Sequence, residues 1–327
     1  MQTFQFGIDL GGTKTELIVL DETGKTWLRK RVPTPASDYH KILHTMVTLV
    51  HEAQSALGVR AHGLGVGAPG TPFGAEGRLK NANTTCLIGQ ALATDLQRAL
   101  DIPVVVENDA NCLVLSEATD GAGAGQPVVF GVILGTGVGG GLAVNGQLVN
   151  GPNRITGEWG HNPLPRWFDR GLGEGQPRPC YCGQNDCIET YLSGQGLINT
   201  HRELVASSHQ PMNARGIALA ARHGDNIARQ ALDQYFDALS QSLATIINVI
   251  DPDVVVFGGG LSQLDGLCDA VRSRLAKHVF GADVHTKLAI AIHGDSSGVR
   301  GAAWLSRDCH NQSTHRNAEH AGTTDET

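Results

Sequence analysis

The sequence predicts an α/β protein of two domains, on three observations. Its 327 residues exceed the usual size of one domain. Short runs with strand patterning alternate with longer runs of helical period. A strand, a glycine-rich turn and a second strand occur twice, at Gly11-Gly12-Thr13-Lys14 and at Gly135-Thr136-Gly137-Val138-Gly139-Gly140. Charged residues are 17% and the formal net charge is -7, which supplies no general attraction to phosphate backbones or anionic membranes. Neither nucleic acid nor a membrane is therefore an expected partner. The first residues lack a basic region followed by an apolar run, and no window approaches 18 apolar residues, so a soluble, cytoplasmic protein is expected. Seven cysteines, four of them scattered singly at 86, 112, 268 and 309, fit a reducing compartment.

Residues 4–10 alternate as a strand, 15–20 and 26–32 continue a three-stranded meander, and Asp9 lies at the tip of the first strand. Pro33-Thr34-Pro35 breaks the sheet. Asp38 can then cap a helix to about Ala56 whose apolar stripe is Ile42, Met46, Leu49, Val50 and Ala53. A short buried strand at 64–66 ends in Gly67-Ala68-Pro69-Gly70, and a polar loop, Asn81-Ala82-Asn83-Thr84-Thr85, precedes a helix at about 90–100. The strand at 103–106 delivers Glu107-Asn108-Asp109-Ala110-Asn111 at its C-terminal end, where open α/β sheets bind ligands. A helix over 110–118 follows. The small, flexible run at 121–125 marks the domain boundary, and strands at 127–134 and 141–144 flank the second glycine turn. Helices dominate 213–249. A strand at 254–257 runs into Gly258-Gly259-Gly260 and a helix to about His278, and a strand at 287–292 leads to a small-residue helix at 296–305. The domains expected are 1–120 joined by the C-terminal helix 295–306, and 121–294 with a metal segment; polar composition predicts a disordered tail over 307–327.

The metal segment holds His161, then Cys180, Cys182 and Cys187, one histidine and three cysteines within 27 residues. That set fills a tetrahedral zinc site and leaves no position for water, so the zinc reads as structural. Buried inert cysteines and a histidine in a turn are the plainer reading. Glu158 and Glu189 flank the ligands on either side, and a metal would bring both carboxylates to one spot. The first glycine turn almost matches a Walker loop, but lysine and hydroxyl are transposed and a strand follows instead of a helix. Gly135-x-Gly137-x-x-Gly140 satisfies the dinucleotide fingerprint as text, yet it too is followed by a strand. Two hairpin tips with exposed amides and hydroxyls suit a triphosphate, its charge neutralised by Mg2+; each tip taken alone is equally an ordinary tight turn. Asp109 can accept the proton of a hydroxyl as its oxygen bonds to phosphorus, or can merely cap a helix.

Taken in order, Asp9-Leu10-Gly11-Gly12-Thr13-Lys14, Glu107-Asn108-Asp109-Ala110-Asn111, Gly135-Thr136-Gly137, Gly157-Glu158-Trp159-Gly160-His161, the cysteine cluster and Gly258-Gly259-Gly260 resemble the ROK family of sugar kinases and repressors over about residues 4–306. The resemblance implies the actin-like, hexokinase-like (ribonuclease H-like) fold, two α/β domains closing over ATP and a hexose in an interdomain cleft. It implies Asp109 as catalytic base and Asn83, Asn108, Glu158, His161 and Glu189 as sugar ligands. The nucleotide would lie on Asp9, Gly11, Gly12, Thr13, Lys14, Gly135, Thr136, Gly137, Gly258, Gly259 and Gly260. The cofactors implied are ATP, Mg2+ and structural Zn2+, and the assembly a homodimer. Repressor members carry an additional N-terminal helix-turn-helix, whereas the first strand here starts at Phe4. The strings at 80–85, 157–165 and 293–304 are most similar to bacterial fructokinases that also accept mannose, which predicts fructose 6-phosphate as product. N-acetylglucosamine kinase and then glucokinase are the alternatives.

Overall fold

The computed structural model describes residues 3–74, 76–82, 84–165, 177–205, 212–281, 283–307 and 309. The chain divides into two compact units. One comprises Met1–Gly121, Asn150–Arg154 and Asp295–Thr327, the other Ala122–Val149 and Ile155–Gly294. The expected boundaries do not include the excursion of Asn150–Arg154 into the first unit. The tail expected over 307–327 lies outside the described residues, apart from 307 and 309.

The first unit begins with the meander β1 (Phe4–Leu10), β2 (Lys14–Asp21) and β3 (Thr26–Pro33). It continues through α1 (Tyr39–Leu57), β4 (Leu64–Ala68), a small hairpin of β5 (Thr71–Phe73) and β6 (Arg78–Lys80), α2 (Leu92–Leu100), β7 (Val104–Asn108) and α3 (Asp109–Asp120). The sheet order is β3-β2-β1-β4-β7, with β4 parallel to β1 and β7 parallel to β4. Asp38 caps α1 by accepting from the Lys41 amide at 3.1 Å, and Gly58 ends the helix in the left-handed region. The stripe Ile42, Met46, Leu49, Val50 and Ala53 is buried as its spacing predicts, in one core with Phe6, Ile8, Leu64 and Val66.

The second unit repeats that plan. β8 (Val128–Leu134), β9 (Val138–Val144) and β10 (Gln147–Leu148) form the meander; α4 (Glu189–Leu192), α5 (Gly194–Leu204), α6 (Ala214–Arg222) and α7 (Asn226–Ile250) follow, then β11 (Val254–Gly258), α8 (Leu267–Leu275) and β12 (Lys287–Ile290). Its order, β10-β9-β8-β11-β12, has the same sequence of two antiparallel and two parallel pairings as the first sheet. β9 starts at Val138, so Gly139 and Gly140 are strand residues and the turn is only Gly135-Thr136-Gly137. No helix follows those glycines, which removes the dinucleotide fingerprint. A 3-10 turn over Gly260–Gln263 precedes α8, and β12 ends at Ile290 instead of 292. The short α4 and the β5–β6 hairpin were not expected, because helices of four residues and strands of three lack room for a period; α5, 11 residues long, was not expected either, since it opens on Gly194-Gln195-Gly196, which is poor in helix formers.

A last helix, α9 over 297–307, belongs to the first unit. It lies directly on strand backbone: a Cβ at Gly7 would sit 2.2 Å from the Ala303 nitrogen, and one at Gly65 would sit 1.8 Å from the Ala302 carbonyl oxygen. Only glycine in the strands and alanine in the helix permit that approach. The composition at 298–303, which reads as weakly apolar, is thus a packing surface. Buried hydrogen bonds join it to α3 and the β2–β3 turn: Ser297 Oγ donates to Glu117 at 2.9 Å, and the Arg300 guanidinium reaches the Gly24 carbonyl and Asp120.

Candidate active site

In the first unit the parallel register aligns Asp9 of β1 with Gly67 of β4, and Gly67 with Glu107 of β7. The C-terminal ends of β1 and β7, either side of β4, therefore present Asp9 and Glu107, and Asp109 follows two residues on as the first residue of α3. The helix cap is Asn108, whose side chain accepts from the Asn111 amide at 2.7 Å. That releases Asp109 from the capping role the sequence left open. Asp109 is the first helical residue, exposed to solvent, and accepts from the Ala110 amide at 2.9 Å. Desolvation by its surroundings lifts its carboxyl above the usual aspartate range, making it a better proton acceptor. Asp9 is lifted to about 6, first by burial and then by the charges of Asp109 and Glu16.

The hairpin tip at Gly11 closes with the Gly11 amide on the Lys14 carbonyl at 2.9 Å. Thr34 braces it from behind: its hydroxyl donates to the Gly11 carbonyl at 2.8 Å and its amide to the Thr13 carbonyl at 3.0 Å. Gly12 and Thr13 are exposed at the tip, and Thr84 of the polar loop stands close to Gly12. Asn83, the expected sugar ligand of that loop, lies outside the described residues.

The second unit holds the remaining expected residues. The Gly135 amide donates to the Gly137 carbonyl at 3.0 Å, and the Gly194 amide at the start of α5 donates to the Gly135 carbonyl at 2.8 Å. Gly258 pairs with Ile133 in the sheet, so Gly259 and Gly260 emerge exposed beside the same turn. A cleft of about 820 Å³ opens there, floored by Gly135, Thr136, Gly194 and Gly260 and walled by Ala214, Ala218, Leu219 and Leu264. Its size and mixed lining are those of a small-molecule site. The ion pair of Arg222 with Asp265 stands on its rim. The wall residues went unread in the sequence because one face of α6 supplies them, and on the text they are ordinary helical alanines and leucines.

The cysteine segment is drawn to the histidine segment by backbone pairing. The Ile188 amide donates to the Asn162 carbonyl at 2.9 Å and the Leu164 amide to the Asp186 carbonyl at 2.9 Å. A tight turn with the Gly183 amide on the Cys180 carbonyl at 3.0 Å then aims the sulfurs inward. One ligand atom each from His161, Cys180, Cys182 and Cys187 lies within 4.8 Å of all the others. The Nδ1 of His161 is 3.5 Å from Cys180 Sγ, and Cys182 Sγ is 3.6 Å from Cys187 Sγ. Ligands around tetrahedral zinc stand about 3.8 Å apart when Zn–S is about 2.3 Å, so the residues fit that ion. A hydrogen bond from the Gln184 amide brings the Cys182 thiol down to about 7, toward the thiolate a metal needs. Arg178, buried and unremarked in the sequence, stacks on Tyr191 and reaches Glu203 at 2.7 Å, fastening the segment to α5.

With Nδ1 turned to the sulfurs, His161 turns Nε2 the other way, 3.0 Å from the Tyr181 hydroxyl and 4.0 Å from a Glu158 carboxylate oxygen. One ring thus serves two sets of groups. Glu189 begins α4, and its carboxylate accepts from the Val138 amide at 2.8 Å. Trp159, by contrast, is core: it is buried against Phe130 and donates to the Gly139 carbonyl at 2.9 Å.

Comparison with known proteins agrees with the fold and narrows the chemistry. The ROK family profile matches residues 5–309. N-acetyl-D-glucosamine kinases of Escherichia coli O139:H28 and of Shigella flexneri are each 42% identical over 301 residues, covering 92% of this chain and 98% of theirs. Among solved structures, the ROK hexokinase of Thermus thermophilus superposes with a TM-score of 0.81 at 28% identity, covering 94% of this chain and 98% of that one. The ROK glucokinase of Streptomyces griseus, in complex with glucose and AMPPNP, gives 0.71 at 27% identity, covering 94% of this chain and all (100%) of that one. Both share the actin-like two-domain architecture. No helix among the described residues is long and apolar enough to cross a membrane.

Proposed function

The chain belongs to the ROK family, and we propose that it is an ATP-dependent hexose 6-kinase whose preferred acceptor is N-acetyl-D-glucosamine. The observation that carries the reaction class is the duplicated hairpin: two sheets of equal strand order each end in a Gly/Thr tip, and the second tip floors a cleft of nucleotide size. In the transfer, the O6 hydroxyl attacks the γ-phosphorus while Asp109 takes its proton. The bond to the bridging oxygen breaks, leaving ADP and the sugar 6-phosphate. The amides and hydroxyls at Gly11–Gly12–Thr13 and at Gly135–Thr136–Gly137 hold phosphate oxygens, and Lys14 adds a positive charge. The apolar wall of Ala214, Ala218 and Leu219 suits the base.

Asp9 is the carboxylate for Mg2+, a cation that prefers oxygen donors, and when bound it neutralises charge building on the β- and γ-phosphates. A cation beside Asp9 would relieve the repulsion that the charges of Asp109 and Glu16 add to its burial. Zinc on His161, Cys180, Cys182 and Cys187 is structural in this reading. Those residues would hold the ion and fix the His161 ring by Nδ1; Nε2 of His161, Glu158, Glu189 and Asn108 are the groups proposed for the sugar hydroxyls.

The acceptor rests on the N-acetyl-D-glucosamine kinases at 42% identity. The fructose alternative rests on the likeness of the strings at 80–85, 157–165 and 293–304 alone, and the buried Trp159 adds no argument for either sugar. The test is a coupled ADP-release assay with fructose, mannose, glucose, N-acetylglucosamine and N-acetylmannosamine compared by kcat/KM. N-acetylglucosamine should lead. Fructose in first place would restore the alternative acceptor, and no ADP release with any sugar would overturn the kinase reading itself.

A further inference from the structure

Glu107 is buried at the end of β7, two residues before Asp109, and it accepts three hydrogen bonds. The Asn111 side-chain amide reaches it at 3.0 Å, the Asn150 amide at 2.7 Å and the Arg154 guanidinium at 3.2 Å. Asn111 also approaches the Asn150 side-chain oxygen at 3.5 Å. The segment Asn150–Arg154 belongs to the first unit although its flanking residues belong to the second, and the bonds of Asn150 and Arg154 to Glu107 tie it there. Arg154 sits at a φ of 53°, a conformation that a non-glycine residue holds only when its surroundings insist. From Arg154 the chain needs only three more residues, turned by the Glu158 amide on the Ile155 carbonyl at 3.1 Å, to arrive at Glu158.

We infer that Glu107 is a positioning residue: one buried carboxylate fixes both the first turn of α3, which carries Asp109, and the stretch of chain that runs into Glu158. A carboxylate is the group that can do this, because it accepts from several donors at once while offering none. A charged acceptor also holds Asn and Arg donors more firmly than a neutral one. The consequence is specific to the sugar side. Loosening 150–154 should weaken sugar binding and leave the cleft beside Gly135, whose lining residues all belong to the second unit, as it was.

This rests on the assignment of Asp109 and Glu158 above, so the test has one arm that does not use catalysis. Hydrogen–deuterium exchange at 151–157 in the unliganded protein, compared between the native chain, Glu107→Gln and Arg154→Ala, reads the brace directly. Exchange should accelerate about tenfold or more in both variants, and unchanged exchange would overturn the inference. In steady-state kinetics Glu107→Gln and Arg154→Ala should raise the KM for sugar about tenfold or more while the KM for ATP stays within about twofold. Arg154 is at the surface, so its variant should fold even if changes at Glu107 do not. Faster exchange with sugar KM unchanged, or equal rises in both KM values, would reduce Glu107 to a structural group and reject the role. Failure of Asp109→Asn to lose turnover would instead count against the base, leaving the exchange result standing.

Discussion

The carboxylate of Glu189 and the amide of Val138 are joined at 2.8 Å, so the last residue of the metal segment and the first residue after the glycine turn move as one body. A Cβ at Gly137 would fall 2.6 Å from the same carboxylate oxygen. A side chain there would push the acid out of its bond to Val138. Glu189→Ala should lower kcat/KM for the sugar about 10- to 100-fold, the scale of a lost hydrogen bond to a charged group. Glu189→Gln keeps an acceptor for Val138 and should lose less. Equal losses in the two variants would show that the bond to Val138 is irrelevant.

Asp109→Asn keeps the size and one acceptor of the side chain and removes its basicity. Turnover should fall by about 10² to 10⁴, with sugar binding by calorimetry nearly unchanged. Near-normal turnover would reject Asp109 as the base.

The raised carboxyls predict where acid stops the enzyme. A base must be unprotonated, and a raised carboxyl takes up its proton at higher pH than an ordinary aspartate. Activity should therefore fall on the acid side as Asp109, held above the ordinary aspartate range, takes up its proton; Asp9, brought to about 6 by burial and neighbouring charges, must likewise be ionised to hold a cation. Stability runs the other way. The folded unliganded chain holds the Asp9 proton to higher pH than the unfolded chain does, so this contribution is present at low pH and disappears as pH rises through about 6. Asp9→Asn should flatten the stability profile in that window, measured by denaturant unfolding at pH 4 to 7. A profile parallel to that of the native chain would show that Asp9 titrates normally.

If the four-ligand cluster holds zinc, elemental analysis should find about one ion per chain. Cys182→Ser should then lose metal, thermal stability and sugar affinity together, since folding and binding share the metal's free energy. A zinc-free preparation with full activity would separate the segment from function.

The cleft beside Gly135 can be filled from its wall. Ala218→Trp should raise the KM for ATP about tenfold or more and change the KM for sugar by less than about threefold. The reverse pattern would place the nucleotide elsewhere.

The chain's local physics carries much of this protein. Alternation, helical period and turn chemistry act over a few residues, so the first meander, the strand pair around the second glycine turn, the Asp38-capped α1 and the strand that delivers Asp109 were legible as text, as was the His161, Cys180, Cys182, Cys187 spacing. What tertiary structure decided are relations between residues distant along the chain. Trp159 stands in text between the expected sugar residues Glu158 and His161, but the pleat of β8 and β9 turns it into the core, with Phe130 and the Gly139 carbonyl as neighbours. The glycines of β1 and β4 read as flexibility, yet they make room for the backbone of α9 some 240 to 300 residues on. Glu107 reads as one acid among several before a helix. Its worth comes from Asn150 and Arg154, brought to it across more than 40 positions of chain, and no local pattern encodes such a meeting because hydrogen-bond partners are chosen by packing, not by sequence separation.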